Sequence, residues 1–282
     1  MRRFFRIGLC LVYLAAASFP ALGQTADCSA VHPEYKTEEA RATLNQGVFA
    51  YKGAHYDDAI ADFQRAMDLD PCLPMARAYL GTAFAQEVVP GLETPENLAV
   101  AQRAIDVFKG ILTDHVHDVN SMKQLASIYY NVKSFEDAKE WQKHVLVEDP
   151  KDAEAAYTIG VIDWTLAHQH AMQALLAVGL IDDGLGNRGA PTQVMKAIQS
   201  ANATLVPEAI EYLNRATEVR PNYDDAMQYL NLVYRRKADL DWDDAAAREE
   251  DLAQAKAWVE KAMQMRKANA EIWAKGQTAQ QP

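Results

Sequence analysis

Three glycines in the segment DDGLGNRGAP have a spacing that could bind a nucleotide. Gly184, Gly186 and Gly189 match G-x-G-x-x-G, in which the backbone wraps a pyrophosphate. That fingerprint requires a β-strand before it and a helix that opens on its last glycine. The preceding HAMQALLAVGL has a helical pattern, Pro191 follows directly, and no β-α-β pattern occurs. We therefore expect no cofactor, and we interpret the motif as a hinge before a short helix near residues 192–203.

Four carboxylates in the segment ADLDWDDAAAREED fall at places 1, 3, 5 and 12 of a calcium-loop template: Asp239, Asp241, Asp243 and Glu250. Asp244 stands where the template needs glycine for a sharp turn. The favoured interpretation is an acidic helix start, with Asp243 as the cap and Asp244 complementing the helix dipole. A calcium-dependent structural protein of the cell envelope stays open as an alternative function.

Two short histidine pairs are the remaining residues with metal-binding chemistry: His115 and His117, and His168 and His170. On a regular helix, positions i and i+2 point apart, so the second pair cannot chelate one ion. No nucleophile elbow, HExxH motif or P-loop occurs. We expect no metal site, no catalytic residues and no enzyme; an enzyme with its site in the 165–208 insertion is the third alternative.

The first 23 residues have the pattern of a secretory signal peptide. Three arginines precede the apolar run IGLCLVYLAAASF, and Ala21-Leu22-Gly23 places small residues at −3 and −1 from a cut before Gln24. Removing those arginines takes the formal net charge from −11 to −14. We expect an exported bacterial protein of the periplasm or cell envelope, with no membrane span after cleavage. So acidic a chain is not expected to bind nucleic acid.

Two cysteines remain in the mature chain. Cys28 lies near its N-terminus, and Cys72 follows a helix-ending proline. In an oxidising compartment they could form a disulfide that closes a loop of about 45 residues. Two separate thiols are the open alternative.

One pattern of small and apolar residues recurs along the chain. Gly47 and Gly81 are 34 residues apart, as are Ala126 and Gly160. A proline also stands 12 residues after an alanine three times: Ala59 and Pro71, Ala138 and Pro150, and Ala209 and Pro221. Small residues fit where two helices touch, and the prolines end the second helix of each hairpin.

These residues resemble the tetratricopeptide repeat (TPR) family, whose G…A-x-x-x-F-x-x-A…P spacing is matched by Gly47, Ala59, Phe63, Ala66 and Pro71. The resemblance implies an all-α, right-handed α-solenoid of about five hairpins over residues 39–274. It would follow an N-terminal segment, 24–38, and precede a flexible polar tail, 275–282. Compared with a uniform 34-residue repeat, the second, fourth and fifth hairpins (units 2, 4 and 5) contain extra residues. These residues either form a binding surface or merely lengthen helices.

Proteins of this family typically bind a peptide or partner protein on the concave face, which the first helix of each repeat lines. The resemblance therefore implies a non-catalytic scaffold with a groove rich in aromatic residues and amides, anchored by Tyr51, Tyr130, Tyr157 and Trp164. For Tyr157 and Trp164, packing between repeats is the open alternative. The groove positions are Arg41, Leu44, Val48, Tyr51, Lys52, Thr82, Gln86, Lys123, Ser127, Tyr130, Asn131, Tyr157, Trp164, Gln228, Arg235 and Arg236.

Overall fold

A computed structural model describes Cys28 and residues 32–278. The expected signal peptide, residues 1–23, lies outside the described residues, as do 279–282. Every regular element in the described part is a helix. The helices are α1 (Thr37–Lys52), α2 (Tyr56–Leu69), α3 (Ala76–Glu87), α4 (Pro95–Asp114), α5 (Val119–Asn131), α6 (Phe135–Glu148), α7 (Ala153–Leu176), α8 (Thr192–Asn202), α9 (Leu205–Val219), α10 (Asp224–Leu240) and α11 (Ala245–Thr278).

Ten of these helices form five antiparallel hairpins: α1–α2, α3–α4, α5–α6, α7–α9 and α10–α11. The second helix of each hairpin packs on the first helix of the next one. First helices also contact each other across units, α1 with α3, α3 with α5, and α7 with α10. They therefore form one inner layer, and the prediction of an all-α solenoid of hairpins is confirmed.

Glycine occurs where the two helices of a hairpin approach most closely. A Cβ at Gly81 would lie 2.9 Å from Phe108 Cζ, and one at Gly160 would overlap Leu213 and lie 3.2 Å from the Ala209 carbonyl oxygen. No side chain fits in this space, so the recurring small residue is a steric requirement of the hairpin.

Prolines end the second helices, as the repeat pattern predicts. Helices α2, α6 and α9 stop at Leu69, Glu148 and Val219, each two residues before Pro71, Pro150 and Pro221. Two of the first helices, α5 and α7, begin with a side-chain cap. Asp118 accepts hydrogen bonds from the first-turn backbone of α5, and Asp152 does the same for α7. These turns set each hairpin against its neighbour.

The hairpins share a continuous apolar core. One cluster includes Phe63, Phe84 and Phe108 from the first two hairpins, and a second includes Ile159 and Leu213 from the fourth. Leu112 and Trp141 pack against both clusters. Stacking thus joins hairpins that could not bury their apolar faces alone.

The extra residues behave differently in the three units. In units 2 and 5 they mainly extend helices, because α4 has 20 residues and α11 has 34. Helix α11 runs to Thr278, so the expected boundary of the solenoid at 274 is too early. In unit 4 they lengthen α7 and also add α8, close to the expected short helix near 192–203. Helix α8 packs on α7 and α10 through a small core with Leu175, Met195, Ile198 and Trp242.

None of the helices in the described part combines the length and apolar composition needed to cross a membrane.

Candidate partner-binding groove

The predicted groove residues all lie on the inner helices α1, α3, α5, α7 and α10, and Lys52 and Asn131 are the last residues of α1 and α5. Fifteen of the sixteen are exposed or half-buried. The exception is Arg236, which is 3% exposed. Its assignment to the groove is wrong, because Asp182 and Asp239 hold its guanidinium inside the protein.

A pocket opens on the inner layer where hairpins three, four and five meet. Its volume is about 310 Å³, and its lining includes Ser127, Tyr130, Gln142, Tyr157, Val161 and Tyr229. Three of the lining residues are tyrosines, and Ser127, Gln142 and Thr158 are the polar exceptions to the otherwise apolar or aromatic surroundings. The pocket is concave, largely aromatic and uncharged, which is the kind of surface that receives an apolar side chain.

Aromatic contacts hold the pocket wall in place. The Tyr229 ring lies edge-on to Tyr157 at 5.6 Å between centroids and edge-on to Trp164 at 5.3 Å. All three rings also pack against the core of hairpins three to five. Of the two residues whose role was open, Tyr157 lines the pocket and contacts the core, whereas Trp164 supports Tyr229 from behind. Tyr130, 36% exposed, packs edge-on against Phe135.

Burial raises the pKa values of the Tyr157 and Tyr229 hydroxyls, with nearby tyrosines and Asp225 adding to the effect. Both hydroxyls therefore stay protonated at any physiological pH. They can donate a hydrogen bond to a ligand as well as accept one.

Gln142 is one of the pocket residues that sequence reasoning missed. It comes from α6, a second helix, although the groove positions were taken from first helices only. The side chain is 8% exposed, and its Oε1 has no hydrogen-bond partner. A signal was present, because Gln142 is a polar residue in the apolar stripe Ala138, Gln142 and Val145 of α6. Tyr229 was missed by one position, since Gln228 was chosen instead.

The calcium-loop interpretation of residues 239–250 is not supported by the geometry. Asp239 is buried in α10, where it lies 2.9 Å from Arg236 Nη1 and accepts a hydrogen bond from Asn187. Asp241 pairs with Lys237, and Asp243 and Glu250 are exposed. The four carboxylates thus do not converge on one point, and no cluster of three metal-ligating side chains occurs among the residues that the structure describes. The favoured helix start also differs in detail, because Asp244 rather than Asp243 accepts the first-turn hydrogen bonds of α11.

The glycine motif lies in a loop, residues 177–191, that polar contacts hold in one shape. Asp182 forms a two-pronged ion pair with Arg236, with both oxygens 2.8 Å from Nη2. Arg235 donates to the Gly184 carbonyl oxygen, and Asn187 donates to both Asp182 and Asp239. The loop does reverse the chain before α8, but it is pinned to α10 and is not a free hinge.

The histidine pairs have separate partners. His117 hydrogen-bonds Glu148, and His170 hydrogen-bonds Asn202. His168 stacks on Trp164 with its ring 5.2 Å away, and burial together with Arg236 lowers its pKa.

Cys28 and Cys72 are joined by a disulfide, with 5.4 Å between their Cα atoms. The bond ties the segment before α1 to the turn between α2 and α3. It therefore attaches this segment to the first hairpin.

A buried ion network joins hairpins three and four behind the groove. Lys139 Nζ lies 2.8 Å from Asp163 Oδ1 and 3.3 Å from Glu208 Oε2. Burial raises the pKa of Asp163 to about 7, against the opposing effect of Lys139.

Comparison with known proteins gives structural likeness without sequence likeness. No protein-family model matches the chain, and no curated protein does either. A structure of MamA is 14% identical, with a TM-score of 0.55 over 83% of this chain and 95% of that one. A structure of MamA residues 41-end from Desulfovibrio magneticus RS-1 is 16% identical, with a TM-score of 0.54 over 82% and 97%.

At such identities the likeness shows the fold alone, and the hairpins and their 34-residue spacing agree with it. The chain has the tetratricopeptide-repeat fold. YrrB, described as a TPR protein with an unusual peptide-binding site, also matches, at 15% identity and a TM-score of 0.48 over 82% of this chain and 94% of that one. In this TPR solenoid, the first helices form the inner layer on which the aromatic pocket lies.

Proposed function

We propose that this protein is a non-catalytic scaffold that binds an extended peptide segment of a partner protein in its concave groove. The observation that carries the proposal is the pocket of about 310 Å³ between hairpins three, four and five, with the unpaired amide of Gln142 in its wall. The partner segment would place one large apolar side chain between Tyr130, Tyr157 and Tyr229.

The Gln142 amide supports a peptide as the occupant. A primary amide offers one acceptor oxygen and two N–H donors, which complement the N–H and C=O groups of a peptide backbone. Leaving a buried polar atom unpaired costs about 1–3 kcal/mol. A bound backbone would remove that cost while its side chain fills the aromatic pocket, so the two contacts reinforce each other.

Binding rather than catalysis is the better match to this lining. The described residues around the pocket include no histidine, cysteine, carboxylate or amine. Ser127 therefore has no neighbouring base among the lining residues, and a serine nucleophile needs such a base for activation. The raised pKa values of Tyr157 and Tyr229 keep their hydroxyls protonated, so these side chains do not act as bases. Aromatic side chains, in contrast, are enriched among the residues that contribute most to protein–protein binding.

We place this function in the periplasm or cell envelope. The pattern of residues 1–23 supports export, and the Cys28–Cys72 disulfide suits an oxidising compartment. Mass spectrometry of the protein recovered from the periplasm should give a mature chain that begins at Gln24. Recovery of the uncleaved chain from the cytoplasm alone would contradict the localisation.

Selection from a phage-displayed peptide library on the immobilised mature chain tests the binding function. Calorimetry on the selected peptides should show affinity losses of about tenfold or more for Tyr130→Ala and Gln142→Leu. Gln142→Leu has a second expected result, because it removes an unpaired buried amide. Its stability to urea should be equal to or above that of the wild type, so a loss of binding cannot be attributed to unfolding.

Val147→Ala is the matched control. Val147 is an exposed apolar residue on α6, the same helix as Gln142, but it does not line the pocket. It should bind the selected peptides as the wild type does. Undiminished binding by both pocket variants would refute the assignment of the groove.

A further inference from the structure

A second cavity lies between the 177–191 loop, α8 and the start of α11. Its volume is about 170 Å³, and its walls are formed by Gly186, Asn187, Arg188, Ala190, Met195, Trp242 and Arg248. The pocket on the inner layer shares none of these residues. The unit-4 insertion therefore builds a cavity of its own.

Arg248 is the unusual residue of this cavity. It is 9% exposed, and its guanidinium forms no ion pair with any carboxylate of the described chain. Its Nη1 donates to the Trp242 carbonyl oxygen at 2.8 Å, but its Nε has no hydrogen-bond partner. Burying a charge without a counter-charge is costly.

The buried and half-buried carboxylates of this region are already engaged by other cations. Asp182 and Asp239 pair with Arg236, and Asp251 pairs with Lys237. The Glu249 carboxylate lies 3.5 Å from the guanidinium of Arg188. Arg248 is therefore a buried cation without a carboxylate partner in the described chain, and its guanidinium is available to pair with an anion from solution.

One further feature favours an anion at this place. The indole Nε1 of Trp242 is a second buried donor without a partner. The glycine motif has a role here, because a Cβ at Gly186 would lie 2.5 Å from Arg248 Cδ and displace the side chain.

We propose that this cavity binds the carboxylate of a small organic acid. The carboxylate oxygens would accept hydrogen bonds from the Arg248 guanidinium, and a short apolar chain would lie against Met195 and Ala190. Charge-assisted hydrogen bonds of a guanidinium to a carboxylate are among the strongest in proteins. Met195 and Ala190 favour an organic acid over inorganic phosphate, which has no apolar part to place against them.

Calorimetric titration of the mature chain with sodium butyrate tests the proposal. Sodium chloride at equal ionic strength controls for screening, butyramide provides the uncharged analogue, and inorganic phosphate provides the rival anion. We expect saturable binding of butyrate and none of butyramide. Arg248→Met should weaken butyrate binding by about tenfold or more.

Two further variants keep the proposal testable if Arg248→Met does not fold. Ala190→Leu keeps the arginine and fills the cavity, so it should abolish butyrate binding even if Arg248→Met fails to fold. Arg215→Met removes an exposed arginine that donates to the Pro150 carbonyl oxygen, and it should bind butyrate normally. The proposal is overturned by an absence of saturable butyrate binding, by equal binding of butyramide, by phosphate binding alone, or by wild-type affinity in Ala190→Leu.

Discussion

Replacing Gly160 with alanine tests whether close contact between α7 and α9 holds the fourth hairpin together. The added Cβ would overlap Leu213 Cγ and lie 3.0 Å from Leu213 Cδ2 and 3.2 Å from the Ala209 carbonyl oxygen. Helix propensity alone would stabilise the protein by about 1 kcal/mol. Overpacking should cost about 3 kcal/mol, because Leu213 and Ala209 are fully buried and one contact is to backbone. The net expectation is a loss of about 2 kcal/mol.

Gly110→Ala is the matched control, since Gly110 also lies within a helix but has nothing within 4 Å of an added Cβ. It should stabilise the protein by about 0.5–1 kcal/mol. Urea unfolding followed by circular dichroism measures the free energy of unfolding of both variants. In thermal unfolding, the melting temperature of Gly160→Ala should fall by about 4–8 °C. The loss of unfolding free energy in the double variant Gly160→Ala with Leu213→Val should be smaller than the sum of the losses in the two single variants. If Gly160→Ala stabilises the protein as Gly110→Ala does, the packing argument is wrong.

Three other perturbations have outcomes that follow from the contacts. Arg236→Met leaves Asp182 and Asp239 buried without their cation, so urea unfolding should show a loss of about 3–5 kcal/mol, with the fastest amide exchange in the 177–191 loop. Replacing both disulfide cysteines with serine should cost about 4 kcal/mol for a sequence separation of 44 residues; an unchanged urea midpoint would contradict the tether. Burial raises the pKa of Asp163 from 3.8 to about 7, so its folded form binds a proton more tightly than the unfolded chain does. Its contribution to stability is therefore complete below about pH 4 and lost as pH rises through about 7, and Asp163→Asn should flatten that part of a plot of unfolding free energy against pH.

Most of the architecture was predictable because it depends on residues that are regularly spaced. Gly47 and Gly81, with the prolines that end α2, α6 and α9, mark the hairpin contacts and turns without reference to distant parts of the chain. Helix α8 lies in the insertion of the fourth hairpin, outside that spacing, and it matches the short helix expected near residues 192–203. The first-helix positions of the groove stay a prediction, and Arg236 is misplaced among them because it is buried. On a helix, consecutive residues point about 100° apart, so Arg235 can face the groove while Arg236 faces the protein interior.

The repeat pattern of the sequence alone determined the all-α hairpins, their number and the face that lines the groove, because short-range spacing encodes helix contacts. Only the tertiary structure decided how Gln142 enters the pocket from a second helix and why the calcium-like carboxylates are not a metal site. It also decided that GLGNRG packs on Arg248. Each of these depends on residues tens of positions apart, such as Asp182 with Arg236 and Asn187 with Asp239. Such pairs meet only when the stacked hairpins bring them together, and no local pattern specifies which buried charge finds a partner.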